Sequence, residues 1–125
     1  MEDPISYKVM DSTALARYFV NGFKAISEET FQIAHDHGWD DPNQNDGEII
    51  CLMHSELSEA LEALRHRNPP SEHIPQFSGV EEELADVVIR IMNYGIARGY
   101  RIPEAILAKK EFNRTRPHKH GGKEF

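Results

Sequence analysis

At 125 residues, 39% hydrophobic and 28% charged, the chain has the composition of a soluble globular domain with room for one core but not two. Its 21 acidic residues against 14 lysines and arginines leave a net charge of −7, which argues against nonspecific nucleic-acid binding. The single cysteine, Cys51, excludes an intramolecular disulfide, and the longest apolar run, IICLM, is far too short to span a bilayer.

The first residues, MEDPISYK, have no basic stretch leading into an apolar one, so no secretory signal is expected and the cytoplasm is the expected compartment. Asp11 and Ser12 are candidate N-caps for a first helix reaching to about His37. Leu15, Tyr18, Phe19, Phe23, Ile26 and Ile33 recur at helical spacing and are expected to form its buried face. Residues 38–45, GWDDPNQN, read as a loop, after which Asp46 can cap a second helix spanning Glu48–Arg67. Ile49, Ile50, Leu52, Met53, Leu57, Ala60, Leu61 and Leu64 make its apolar arc, and Cys51 inside that arc is expected to be a buried small hydrophobe. Three prolines make residues 68–78, NPPSEHIPQFS, a second loop. Ser78 followed by Glu81 is a capping-box pattern opening a third helix, and Gly99 suits its C-terminal end. Pro103 belongs in the first turn of a fourth helix running to about Arg114, with Glu104 favourable near its N-terminus. Residues 115–125 read as an extended tail. With no strand-period segment and no repeat, the expected fold is all-α, a four-helix bundle-like core in a single domain over residues 1–125.

The third helix, VEEELADVVIRIMNYGIARG, carries the feature that demands a functional explanation. Val80, Leu84, Val87, Val88, Ile89, Ile91, Met92, Tyr94 and Ile96 cover most of its circumference, the pattern of a buried helix. One narrow strip is polar: Glu83, Asp86, Arg90 and Asn93, spaced i, i+3, i+7, i+10. The second helix intrudes on its own apolar arc in the same way, with Glu56 inside the arc and Glu59 at its edge, while Glu48, Ser55, Ser58 and Glu62 lie outside. Antiparallel packing across the loop would bring the four acids together. Grouped carboxylates repel one another and therefore share protons or bind a hard cation. With only oxygen donors, Mg²⁺ is favoured, and Mn²⁺ or Ca²⁺ remain options. The bland alternative is four acids that are solvated or paired with Arg65, Arg67 or Arg90. A ferritin-like di-iron site would need Glu-x-x-His, and neither pair has that histidine.

ELSE at 56–59 followed by ELAD at 83–86 resembles the Glu-x-x-Glu … Glu-x-x-Asp signature of the MazG-like, all-α nucleoside triphosphate pyrophosphohydrolases. The resemblance continues in Lys109-x-x-x-Asn113-x-x-Arg116-Pro117 and HGGK at 120–123, covering roughly residues 45–125. It implies Mg²⁺-dependent hydrolysis of an NTP or dNTP to the monophosphate and pyrophosphate, by a homodimer or dimer of dimers completing the four-helix core. The first helix carries no matching motif, which leaves base and sugar preference open. Glu59, Glu83 and Asp86 are the first choices as metal ligands, with Glu56 completing the set. Glu56 lies deepest in its arc, where desolvation should raise its pKa and suit it to act as general base.

Lys109 and Asn113 share a face of the fourth helix and by resemblance contact phosphate and sugar or base, while Arg116 could clamp phosphate oxygens bidentately. Arg90 and Asn93 are further candidates on the acidic strip, and Trp39, beside His37, could stack on a base. His118, Lys119, His120 and Lys123 with Gly121-Gly122 could close over the triphosphate, or form a loose end. The other histidines, His35, His54, His66 and His73, have no ligand spacing and no assigned role. Two other readings stand beside the hydrolase: a non-catalytic helical adaptor, and the same fold acting on another phosphorylated compound.

Overall fold

The computed structural model describes residues 11–41 and 43–118. Among these residues the protein is all-helical: α1 (Ser12–Asp36), α2 (Asp46–Arg65), α3 (Gly79–Arg98) and α4 (Ile102–Arg114). No helix among them is long and apolar enough to cross a membrane.

Local chemistry explains the helix ends. Asp11 Oδ1 accepts the Ala14 N–H at 2.7 Å and caps α1. Asn45, not Asp46, caps α2, its Oδ1 accepting the Glu48 N–H at 2.9 Å. This corrects the expectation by one residue, because the Asp46 carboxylate is drawn instead to Tyr94 and Arg98. Ser78 caps α3 as expected, accepting the Glu81 N–H at 3.3 Å and donating its hydroxyl to the Glu81 carboxylate. Gly99 ends α3 at φ 71°, a left-handed conformation that favours glycine. Pro103 lies in the first turn of α4, where its missing N–H costs nothing.

Contacts divide the chain into two compact units. Ile26–Tyr100 forms one, and the described residues up to Ala25 and from Arg101 onward belong to the other. In the latter, Lys24 and Glu104 form an ion pair at 3.0 Å, and the Phe19 and Phe23 rings lie 5.7 Å apart.

The Ile26–Tyr100 unit is built on α2 packed against α3. The loop between them folds back tightly. Asn68 Oδ1 accepts the Val80 N–H at 2.9 Å, and the Gly79 N–H donates to the Pro69 carbonyl at 2.8 Å. A Cβ on Gly79 would come within 3.1 Å of the Ala63 Cβ, a tight contact that glycine avoids where the two helices approach at this end. At the opposite end the Tyr94 hydroxyl and Arg98 Nε donate to Asp46 at 3.0 and 2.9 Å. The pair is therefore antiparallel and tied at both ends.

Packing corrects several burial expectations. Ala34, Ala60 and Pro103 are the buried apolar side chains among the described residues. Leu15, Tyr18, Ile26 and Ile33 on the presumed inner face of α1 are exposed, as are Leu57, Leu61 and Leu64 on α2 and Leu84, Val88, Ile89 and Ile96 on α3. Cys51 is exposed too. Helical period identifies an apolar face, but among the described residues much of it stays exposed.

Candidate metal centre and adjoining cavity

The antiparallel pairing brings Glu56 and Glu59 of α2 against Glu83 of α3. Each offers a carboxylate oxygen, and the three oxygens lie within 4.8 Å of one another. The i, i+3 spacing places the two α2 acids one turn apart on the same side of the helix. Asp86 stands one turn further along α3, outside the tight group but close enough for the charges of Glu56 and Glu59 to act on it.

Burial and like charge order the four acids. Glu83 is pushed up to about 8, first by burial and then by the neighbouring Glu56 and Glu59 carboxylates. Its Oε2 is buried without a hydrogen-bond donor. Burial is the largest single influence on Glu56 and raises it, but hydrogen bonds from Arg90 and with Glu83 and Glu59 outweigh it, so the Glu56 pKa is lowered. The elevated carboxyl expected at Glu56 is thus found at Glu83. Asp86 is also raised, by burial and then by Glu56 and Glu82, against the opposing pull of Arg90.

Arg90 reaches across the helix pair to Glu56. Its Nε and Nη2 lie 3.0 and 2.9 Å from Glu56 Oε1, and the Glu56 side chain is only 12% exposed. One of the four acids is therefore neutralised by a salt bridge within the chain, which the sequence raised as the bland alternative. Among the described residues, no guanidinium pairs with Glu59, Glu83 or Asp86 in this way.

Beside this cluster lies a cavity of about 870 Å³. Glu56, Asp86, Arg90 and Asn93 line one side, with Trp39 and Phe31 among the residues of the remaining wall. Trp39 is exposed and its ring stacks on His37 at 4.6 Å between centroids. Arg98, Tyr94 and Gln44 close one end, where Arg98 Nη2 also donates to the Gln44 carbonyl at 3.3 Å. This Asp46–Tyr94–Arg98 tie was not among the expected functional residues. Tyr94 and Arg98 share a face of α3 at i, i+4, but Asp46 lies about fifty positions away and no local spacing connects it to them.

A second unexpected network shapes the loop ahead of α3. Ser71, buried, donates to the Glu82 carboxylate, which also receives His73 Nδ1. The Ser71 hydroxyl oxygen in turn accepts the His73 and Ile74 N–H groups. Glu82 thus has a structural partner set, while its neighbour Glu83 has none but other acids.

Lys109 and Arg116 lie in the other unit, within α4 and just beyond its end respectively. Lys109 Nζ sits 4.5 Å from the Phe112 ring centroid and the Arg116 guanidinium carbon 5.8 Å from it, so both cations gather on one aromatic ring. Asn113 is exposed on the same helix. Lys123, with Lys119, His120 and the two tail glycines, lies outside the described residues.

Comparison of the chain with family models, with curated proteins and with solved structures finds no match.

Proposed function

We propose that the protein is a divalent-cation-dependent nucleoside triphosphate pyrophosphohydrolase, with its reaction centre at Glu56, Glu59, Glu83 and Asp86. The observation that carries this reading is the convergence of the Glu56, Glu59 and Glu83 carboxylates, with Glu83 Oε2 lacking a donor, beside a cavity of ligand size. A buried carboxylate surrounded by like charge is costly unless a proton or a cation joins it. The all-oxygen donor set fits Mg²⁺, with Mn²⁺ as a substitute. Bound there, such a cation would polarise the α-phosphate and offset the repulsion between the substrate's charge and the acids.

The chain's own groups have separable tasks. Glu59, Glu83 and Asp86 would hold the cation. Glu56 is the member of the tight cluster that also lines the cavity, and Arg90 keeps it ionised. It takes the proton from the attacking water on geometric grounds, not because of a raised pKa. Attack at the α-phosphorus breaks the bond to the oxygen bridging the α- and β-phosphates. The water oxygen stays on the monophosphate and pyrophosphate departs. Trp39 offers a ring for stacking against the base. No Gly-rich phosphate loop of the ATPase type is present in the sequence, which favours α- over γ-phosphate attack.

Incubating the protein with mixed dNTPs and NTPs and Mg²⁺ in ¹⁸O-labelled water tests the reaction. The label is expected in the nucleoside monophosphate, with unlabelled pyrophosphate as co-product. Label in orthophosphate without added pyrophosphatase would overturn α-attack, and no turnover of any nucleotide would overturn the hydrolase reading. Glu59→Gln, Glu83→Gln and Asp86→Asn are each expected to lower turnover by at least ~100-fold, the scale of losing an electrostatic partner of the transition state. Full activity in all three would sink the metal-site assignment. The phosphate role of Lys109, Asn113 and Arg116 comes from the resemblance, and Lys109→Met tests it by slowing triphosphate turnover more than it weakens monophosphate binding.

A further inference from the structure

Among the described residues, Arg90 is the cation paired with the acid cluster, and one oxygen holds it there. Its Nε and Nη2 both lie on Glu56 Oε1, at 3.0 and 2.9 Å. The Arg90 side chain is 38% exposed and lines the cavity, whereas the Glu56 side chain is only 12% exposed. Arg98, the other arginine of the cavity wall, is held at two points, on Asp46 and on the Gln44 carbonyl. Of the two guanidinium groups, Arg90 is the one that can leave its partner by turning about its own side chain.

The same contact occupies Glu56. Two guanidinium nitrogens lie on Oε1, and Glu83 and Glu59 hydrogen-bond with the same carboxyl group. A carboxylate so engaged has little lone-pair density left for the proton of an attacking water. A divalent cation joining Glu59, Glu83 and Asp86 would bring a second positive charge to the guanidinium's surroundings. Like charges in a half-buried site repel strongly, and a doubly charged ion keeps Glu56 ionised without Arg90. A guanidinium matches phosphate oxygens as well as it matches a carboxylate, so an anionic ligand in the cavity offers Arg90 a new partner.

We propose that Arg90 is an exchangeable counter-ion: it leaves Glu56 when a divalent cation joins the acids, and its guanidinium then binds the phosphates of the ligand in the cavity. This rests on reading the acids as a cation site and the cavity as a nucleotide site. The exchange frees Glu56 to accept the proton of water and couples phosphate binding to cation binding. Arg90 thus opposes the cation and favours the phosphate, two effects of opposite sign that a merely structural role would not give.

Both effects are measurable without turnover. In the intact protein, Mn²⁺ alone, followed by electron paramagnetic resonance of the free ion, is expected to bind Arg90→Met at least ~5-fold tighter than the wild type. Arg90→Lys keeps the charge and should stay within about twofold of the wild type. With Mg²⁺ saturating, pyrophosphate should bind Arg90→Met at least ~5-fold more weakly by calorimetry, and without Mg²⁺ the two proteins should not differ. In the wild type, Mg²⁺ should shift the Arg90 Nε–H cross-peak in ¹⁵N NMR and leave that of Arg98 in place, a reading that depends on no variant folding. Mn²⁺ binding to Arg90→Met that is equal or weaker, pyrophosphate affinity unchanged in that variant, or an Arg90 cross-peak that Mg²⁺ does not move would overturn the exchange. The expected shifts without dNTP hydrolysis would defeat the hydrolase reading alone, and hydrolysis with Arg90 unmoved would defeat this inference alone.

Discussion

Glu83 governs the electrostatics of the acid cluster. Its pKa, pushed up to about 8 from an ordinary carboxylate value, means that the folded protein holds a proton that the unfolded chain releases near pH 4.5. Between those two values the folded state binds more protons, so stability falls as pH rises. In metal-free buffer the melting temperature should therefore decline from about pH 5 towards pH 8. His35 and His73, raised by Asp40 and Glu82, add a slope of the same sign above pH 6.5, because their stabilisation is complete below that pH and is lost as pH rises through their elevated pKa. Glu83→Gln should flatten the slope below pH 6.5 and raise the melting temperature near pH 8. An unchanged pH profile in that variant would show that Glu83 is not the raised carboxyl. Added Mg²⁺ should raise the wild-type melting temperature by mass action and raise that of the variant less. At Arg90 the expectation is the reverse. Arg90→Gln leaves a half-buried Glu56 unpaired and should cost about 1–2 kcal/mol, after discounting for the exposure of the guanidinium. Adding Glu56→Gln should recover part of that loss in a double-mutant cycle.

Among the helices, α2 and α3 hold the candidate site, and they are secured at their ends more than through a filled core. Asn45 and Ser78 each satisfy an N–H that their helix cannot satisfy internally. Replacing either by alanine should cost about 1 kcal/mol in a denaturant titration. Asp46→Asn should leave the α2 cap intact, since Asn45 supplies it, yet loosen the tie to Tyr94 and Arg98 at the end of the cavity. A loss at Asp46 equal to that at Asn45, with Tyr94 and Arg98 unaffected in side-chain NMR shifts, would reassign Asp46 to capping.

For the whole molecule, the exposed apolar surface calls for a partner. Leu84, Val88, Ile89 and Ile96 on α3, Leu57, Leu61 and Leu64 on α2, and Leu15, Tyr18, Ile26 and Ile33 on α1 are all exposed among the described residues. Apolar surface on this scale is unfavourable in water and marks interfaces. A second copy of the same chain, related by a two-fold axis, is the simplest closed arrangement. Light scattering at micromolar concentration should give a dimer or larger assembly, with a melting temperature that rises with protein concentration. A monodisperse monomer would contradict this.

The four helices, the Ser78 cap, the Gly99 stop and the alignment of Glu83, Asp86, Arg90 and Asn93 on one strip were legible in the sequence. Each depends on residues within a few positions of one another, where helical period and capping chemistry decide the outcome. Tertiary structure alone decided which acids meet, that Arg90 closes on Glu56 from the other helix, and that the raised pKa falls on Glu83 instead. Those outcomes depend on how far each carboxylate is removed from water and which charge faces it across the helix pair, neither of which a one-dimensional pattern contains. The same limit explains α1, α2 and α3. Periodicity located their apolar faces, but whether a face is covered depends on which neighbours pack on it, and among the described residues these faces stay largely exposed.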